Sequence, residues 1–350
     1  MPVRAPDSPP HPPQRPPQSS LRSPRPVSSH TVAQSRTLSI APSFTEIKPR
    51  TLLVAGATGR KANLLINSVG SHEAFKSLRI LSFSERGDAS AQMMYAHVIK
   101  NPRSFFCVDS PDHKALRKAL QDVDILFYNP PSGDRHWVAT AIATISVAKE
   151  VGVGHFIFCS VLHPQLSKLI HHADKLQVEE SLIESGLNYT LLQPGIPMQN
   201  VDVRSIVSTS QYTLPYPHTT LQSFIDIHDL ALVVRKIILN PEPHNRATYQ
   251  LVGQTCSHED IARDIGVYSN KAEVECVRVD RRDFVGDGST NEYEADVLDR
   301  VLLYYERRGV TGNSNVLRWL LGRSPTTFSV MLHRDYQVSD CSDAYIGMAE

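Results

Sequence analysis

Thr51-Leu52-Leu53-Val54-Ala55-Gly56-Ala57-Thr58-Gly59-Arg60-Lys61-Ala62 decides the architecture of this chain. The apolar run reads as a buried strand, the glycines as a turn, and the residues after Gly59 as the start of a helix. That order builds a phosphate-binding corner. Gly56 permits a tight turn with no side chain in the way. Gly59 lets backbone approach a pyrophosphate, and the free N–H groups of the first helical turn can face its charge. Ala62 stands where a third small residue allows close packing of helix on strand.

From there the pattern alternates. It predicts a helix over 62–69 and strands over 78–83 and 105–108. A helix over 111–120, capped by Asp109 or Ser110, comes next, then a strand over 123–128 stopped by Asn129-Pro130-Pro131. A helix over 137–151, a strand over 155–159, a helix over 168–185 and a strand over 189–192 complete the series. The strands are continuous apolar runs, as parallel strands covered on both faces are. The fold class expected is therefore α/β: a Rossmann-like doubly wound parallel sheet over 50–195, with a smaller α/β substrate-binding region over 196–335. In that region 224–229 leads into a helix through Leu239. A strand follows over 248–252, Ser257 caps a short helix, and helices fall at 297–307 and 315–321.

The second strand should end beside the adenosine ribose. A carboxylate there suits the two hydroxyls of NAD, and a basic residue suits the extra phosphate of NADP. Ser84-Glu85-Arg86 offers both. Arg86 and Arg60, with Lys61 nearby, outnumber Glu85, so the reading leans to NADP with NAD as the alternative.

The chain has 350 residues with 36 basic and 36 acidic side chains, a balance that argues against direct nucleic-acid binding. No apolar run approaches the roughly 20 residues needed to span a bilayer. Five widely spaced cysteines form neither a disulfide framework nor a zinc cluster, so a reducing, cytoplasmic setting and no bound metal are expected. Residues 1–45 carry five arginines against one acid, Asp7, and many prolines. They read as a disordered tail, with organelle targeting as the alternative; 336–350 reads as a C-terminal tail.

Lys175 is the leading chemical candidate. It follows the fifth strand on a helix, and functional groups of an open parallel sheet gather outside the strands' carboxyl ends. His171 and His172 precede it on its own helix face, and Glu179 lies one turn on, placed to orient the ammonium. Burial or a cofactor would lower its pKa enough for acid chemistry near neutrality. A tyrosine followed by lysine at four residues occurs nowhere suitable: Tyr268 and Lys271 are three apart. Ser160 lacks a nucleophile-elbow glycine pattern, which excludes hydrolysis on that template.

Taken in order, Gly56-Ala57-Thr58-Gly59, Asp109, Phe156 to Ser160, Lys175 with Glu179, Leu191 to Gly195, Phe224 to Leu230 and Tyr305 to Thr326 resemble the NmrA-like family. These are atypical short-chain dehydrogenase/reductase proteins of fungal type. The resemblance implies an NAD(P)-binding Rossmann domain, a pyrophosphate at Gly56–Ala62 and adenine near Asp109. It implies a nicotinamide near Pro130, Ser160, Pro194, Gly195 and Ile196, and Lys175 as the active lysine. Two positions depart from the family: Ala62 replaces its third glycine, and Ser84 stands where it carries a basic residue. The function implied is reduction of a carbonyl or conjugated alkene of a fungal secondary-metabolite intermediate. A non-catalytic redox sensor with a regulatory protein partner, and a redox-neutral isomerase or dehydratase, are the alternatives. The substrate expected is apolar and mid-sized, lined by Pro197, Met198, Tyr216, Phe224 and Phe328, with Asp226 or His228 near the cleft.

Overall fold

Five of the six residues of the first strand, Leu52 among them, are buried, and their side chains divide between two cores. The computed structural model describes residues 50–336 apart from 57–58, 70–71, 73, 84–86, 100, 109–111, 131–135, 271–272 and 286–291. Along the chain run β1 (Arg50–Ala55), α1 (Arg60–Val69), β2 (Phe75–Ser82), α2 (Gly87–Tyr95), β3 (Phe105–Cys107), α3 (His113–Leu120), β4 (Ile125–Tyr128), α4 (Trp137–Val151), β5 (His155–Cys159), α5 (Ile170–Glu184) and β6 (Tyr189–Pro194). There follow β7 (Ile196–Pro197), α6 (Val203–Thr209), β8 (Gln211–Leu214), β9 (Gln222–Ile225), α7 (Ile227–Leu239), β10 (Ala247–Leu251), β11 (Gln254–Cys256), α8 (His258–Tyr268), β12 (Glu275–Arg278), α9 (Arg281–Val285), α10 (Glu292–Arg307), α11 (Asn315–Leu321) and α12 (Phe328–Asp335).

The main sheet has seven parallel strands in the order β3-β2-β1-β4-β5-β6-β10. Leu52 and Val54 face a core shared with α1 and α7, through Leu65, Ile66, Val233 and Ile237. Leu53 and Ala55 face the other core, with Leu116, Ala141, Ile145 and Leu182 of α3, α4 and α5. The fold is the doubly wound α/β sheet expected, with helices on both faces. The chain winds outward from β1 to β3, returns, and winds outward again from β4. The direction reverses between β1 and β4, where Ala55 lies opposite Tyr128.

The strand expected at 248–252 joins this main sheet rather than the smaller region. As β10 it pairs in parallel with β6, Ala247 opposite Thr190. All six β6 residues are buried, and without β10 that strand would be a bare edge with unpaired N–H and C=O groups. The smaller region is built from the β11-β9-β7 sheet, the β12-β8 ribbon and α6, α8, α10 and α12 around Ile206, Phe224, Ile265 and Phe328. Helix α3 is capped by Asp112, whose carboxylate accepts from Lys114 N at 2.8 Å and Ala115 N at 3.2 Å; the cap expected at Asp109 or Ser110 gives way to this closer Asx geometry. Ser257 and Asp260 form a reciprocal capping box at the start of α8. No helix among the described residues is long and apolar enough to cross a membrane.

Two aspartates at the head of α7 fasten the C-terminal segment. Asp226, fully buried, caps α7 and takes both guanidinium nitrogens of Arg334 at 2.6 and 3.0 Å. These contacts, with His228 and Gln199, hold its carboxyl well below the usual range against the cost of burial. Asp229, also fully buried, accepts from Arg323 Nη2 at 2.6 Å, Thr326 N at 2.7 Å and Thr326 Oγ1 at 3.1 Å. Removing that carboxylate strands a buried backbone donor. Asp229→Ala should therefore cost roughly 2–3 kcal/mol, read as a lowered urea midpoint at unchanged slope. A variant that unfolds with the parent's midpoint would show that the segment is held by apolar packing alone.

Candidate functional site

The strand reversal leaves a crevice at the carboxyl ends of β1 and β4, and a glycine is obligatory at its edge. Gly56 has φ +75°, and a Cβ there would lie 1.7 Å from the carbonyl oxygen of Asn129. Gly56 N donates to Leu81 O at 2.9 Å, and Asn129 N donates to Ala55 O at 3.1 Å. Any side chain at this position would collide with the backbone leaving β4. Gly59 differs: a Cβ there would meet its nearest atoms, Asn129 Nδ2 and Gly56 O, at an ordinary 3.7 Å. Gly59 borders the space of the cleft.

That space is a cavity of about 850 Å³ running from the crevice to the smaller region. Gly59, Lys61, Pro130, Ser160, Lys175, Pro194, Gly195 and Ile196 all line it, so eight residues picked from the sequence come together on one cleft. Gly56 and Ala62 do not line it. Gly56 shapes the turn, and Ala62 is fully buried in the core beneath α1. Ala57, Thr58, Arg86, Asp109 and the side chain of Arg60 lie outside the described residues. So do the turn Ser84-Glu85-Arg86 and the tails expected at 1–45 and beyond Tyr336.

Lys175 is buried in the cleft wall. Its Nζ donates to Cys159 O at 2.9 Å and sits 5.1 Å from the Trp137 ring centre and 5.2 Å from that of Phe158. The ammonium thus caps the end of β5 and rests on two aromatic faces. The ion pair expected with Glu179 does not form. Glu179 carboxylate oxygens instead accept from Gln193 Nε2 at 3.1 and 3.0 Å, because Gln193 on β6 is buried beside them and needs acceptors. Burial pushes Lys175 down to about 7; the neighbouring Lys61 adds to this, while Cys159 and Glu179 oppose it. Burial likewise raises the Glu179 carboxyl above its usual range.

The two histidines before Lys175 both border the cleft. Burial, with the charges of Lys175 and Lys61, pushes His171 down to about 3. His172 donates Nδ1–H to His163 O at 2.9 Å and is also held neutral mainly by burial. Ser160 Oγ is buried, lines the cleft and lies beside the Glu179 carboxylate, whose charged form it favours. A glycine on the cleft wall at the start of a helix, with a lysine nearby, is what an anionic ligand would satisfy.

Of the substrate wall expected from sequence, Pro197, Tyr216 and Phe224 line the cleft. Met198 and Phe328 do not: both are fully buried core residues, Phe328 packed edge-on to Phe224 with ring centres 5.0 Å apart. Asp226 and His228 serve the α7 cap instead of the cleft. Sequence reading missed Tyr212, His258, Tyr305, Val301 and Val310, which line the far wall. They come from β8, α8, α10 and the loop after it, and only Val301 and Tyr305 share a helical spacing.

This chain belongs to the NmrA-like family, whose pattern matches residues 48–285. It is 29% identical over 149 residues to quinone oxidoreductase 2 of Escherichia coli, covering 43% of this chain and half the length of that relative. It is 26% identical over 216 residues to the NAD(P)H azoreductase of Xenophilus azovorans, covering 60% of this chain and 71% of that protein. In fold it resembles the Escherichia coli NADPH-dependent quinone oxidoreductase complexed with NADPH (TM-score 0.69, 22% identity, 82% of this chain and 100% of that one). It also resembles NmrA, a negative transcriptional regulator in complex with NAD (TM-score 0.64, 16% identity, 82% and 95%).

The depressed lysine has a thermodynamic signature. Between about pH 7 and the ordinary lysine range, the unfolded chain holds a proton that folded Lys175 has released. Stability from this group therefore rises with pH across that window, and the penalty is fully present below it. Lys175→Met should be more stable than the parent at pH 6 by on the order of a few kcal/mol, and that gain should shrink by pH 10. Urea melts of both proteins without added dinucleotide check this; a gain independent of pH would show that Lys175 is not buried in a charge-excluding site.

Proposed function

We propose that the cleft binds NAD(P)H and that the protein reduces a carbonyl or conjugated alkene on an apolar, mid-sized molecule, with Lys175 serving the developing oxyanion. The observation that carries this reading is the Lys175 ammonium: buried, on the cleft wall, and with its pKa brought to about 7 by burial although Glu179 and Asp174 favour its charge. A group with a pKa near the working pH is the best proton donor a protein can offer. The names of the relatives, reductases of quinones and azo compounds, support the same class of chemistry.

In this reading the turn at Gly56, the backbone at Gly59 and Lys61 would hold the phosphates. Ser160, Pro130 and Pro194 to Ile196 would border the nicotinamide end. Arg60, Arg86 and Asp109 are the residues we assign to the adenosine side and to the choice of NADP over NAD. Reduced nicotinamide, when bound, supplies the hydride. Lys175 donates its proton, or its charge, to the substrate oxygen as negative charge builds there. Trp137 and Phe158 keep water from the far side of the ammonium, and the neutral imidazoles of His171 and His172 add no competing charge. Placement in fungal secondary metabolism and in a reducing compartment is carried by the family resemblance and the cysteine pattern, not by the cleft.

A second reading, dinucleotide sensing with a protein partner and no turnover, draws on one observation. Lys175 Nζ already has a structural use, holding the end of β5 through Cys159 O.

Turnover separates the two. The parent should oxidise NADPH in the presence of a quinone or enone panel, and Lys175→Met should lower kcat/KM by roughly 10²–10⁴-fold. Calorimetric titration with NADPH and NADH reports dinucleotide affinity independently. Undiminished rates in the variant would remove Lys175 from the chemistry. A parent that binds dinucleotide and turns nothing over would favour the sensor, and product formed without cofactor oxidation would favour a redox-neutral isomerase or dehydratase.

A further inference from the structure

We propose that Tyr216 donates a hydrogen bond into the cleft and selects substrates bearing a neutral acceptor oxygen, a keto or quinone carbonyl on an apolar ring system. This rests on the reading of the cleft as a substrate site.

His258, the first residue of α8, lies between two phenols. Tyr212 OH is 2.7 Å from its Nδ1 and Tyr216 OH is 3.1 Å from its Nε2. All three side chains are buried and all three border the cleft. A neutral imidazole brings one N–H and one lone pair. One contact must therefore use a phenol proton, and the other must use the ring N–H. One phenolic proton is then left over. A protonated ring would leave two.

The distances assign the spare proton. The shorter contact suits Tyr212 O–H donating to Nδ1, and the longer suits Nε2–H donating to the Tyr216 oxygen. The backbone fixes this geometry from behind. His218 Nε2 donates to Tyr212 O at 2.9 Å, and His258 N donates to His218 O at 2.8 Å. Tyr216 thus keeps a hydroxyl proton whose acceptor is not supplied by the described residues. A buried donor without an acceptor is costly, and a ligand that supplies one removes the cost.

The surroundings name the ligand. The Tyr216 ring packs edge-on to Tyr305 at 5.3 Å and to His258 at 5.5 Å, and Phe224 packs on His258 at 5.7 Å. Burial pushes His258 down to about 4, so it contributes no positive charge near neutral pH. A carboxylate would lose its hydration here with no cation from this triad in return. A carbonyl gains one hydrogen bond and loses little.

The test uses the full chain and two ligands of one shape, 1-tetralone and tetralin, which differ at the carbonyl. Equilibrium dialysis measures both, without dinucleotide. The parent should hold 1-tetralone more tightly by about 3–10-fold, the worth of one net hydrogen bond. Tyr216→Phe should erase that preference and leave tetralin affinity unchanged. A parent with no preference, or one that binds neither, overturns the proposal, as does a Tyr216→Phe protein that keeps the preference. Should that variant fail to fold by circular dichroism, the infrared carbonyl band of carbonyl-¹³C 1-tetralone bound to the parent decides: a shift to lower frequency supports the bond, an unshifted band overturns it. NADPH and NADH titrations of the same samples keep the outcomes apart, because loss of dinucleotide binding sinks the reductase reading and leaves the carbonyl preference to stand or fall by itself.

Discussion

The approach of Gly56 to the Asn129 carbonyl is the constraint on which the rest of the site depends. Two parallel strands that leave the sheet in opposite directions open a crevice between them. The crevice survives only if neither exit loop fills it. At β1 the chain turns with φ +75° and passes so near Asn129 that a single methyl would lie 1.7 Å from its carbonyl oxygen. The turn is held on both sides by strand-like bonds, Gly56 N to Leu81 O and Asn129 N to Ala55 O. The glycine therefore serves packing between strands first; any pyrophosphate benefits from a turn that the sheet already demands.

The second wall of the cleft comes from chain far downstream, and it is clamped by charge buried at one helix terminus. Asp226 and Asp229 stand three residues apart at the start of α7, so both face the same side. One holds Arg334 of α12 and the other holds Arg323 and Thr326 ahead of it. Helix α7 itself packs on α1, directly behind the glycine turn. The glycine turn and the segment that closes the smaller region are thus tied to two faces of one helix. A motif that reads as site chemistry in the sequence is spent on assembly.

This separates what the sequence could reveal from what it could not. The bounds of α4, β5 and α11 read directly from Trp137–Val151, His155–Cys159 and Asn315–Leu321, because each is a long periodic or wholly apolar run closed by a turn residue. The crevice was legible for the same reason: its lining residues sit at strand ends that the pattern fixes. Helix α6, the β8–β12 ribbon and α12 were not read. They are short, half-exposed pieces stabilised by one another through the Phe224 and Ile265 core, so their local sequence carries little signal. Met198 and Phe328 resemble site residues by chemistry and are core by position. Lys175 and Glu179 have the spacing of an ion pair, yet Gln193 outcompetes the lysine for the carboxylate, a partner fourteen residues away that no helix rule can supply.

Charge is distributed unevenly along the cleft, and that asymmetry gives it a direction. Lys61 and Lys175 stand near the glycine corner, with two imidazoles that burial keeps neutral. The far wall is phenol, imidazole and ring face, with His258 also neutral. An amphiphilic pair of ligands, one anionic and one apolar, has a single favourable order of occupation in such a groove: the anion toward Lys61, the apolar body toward Tyr216 and Phe224. Lys175 lies at the anionic end with a pKa already near neutrality. An anion bound there favours its charged form, so binding at that end and proton uptake by Lys175 are coupled in sign. The lysine would then carry its proton when the anionic ligand is in place and shed it more readily when the site empties, which is the order a proton donor requires.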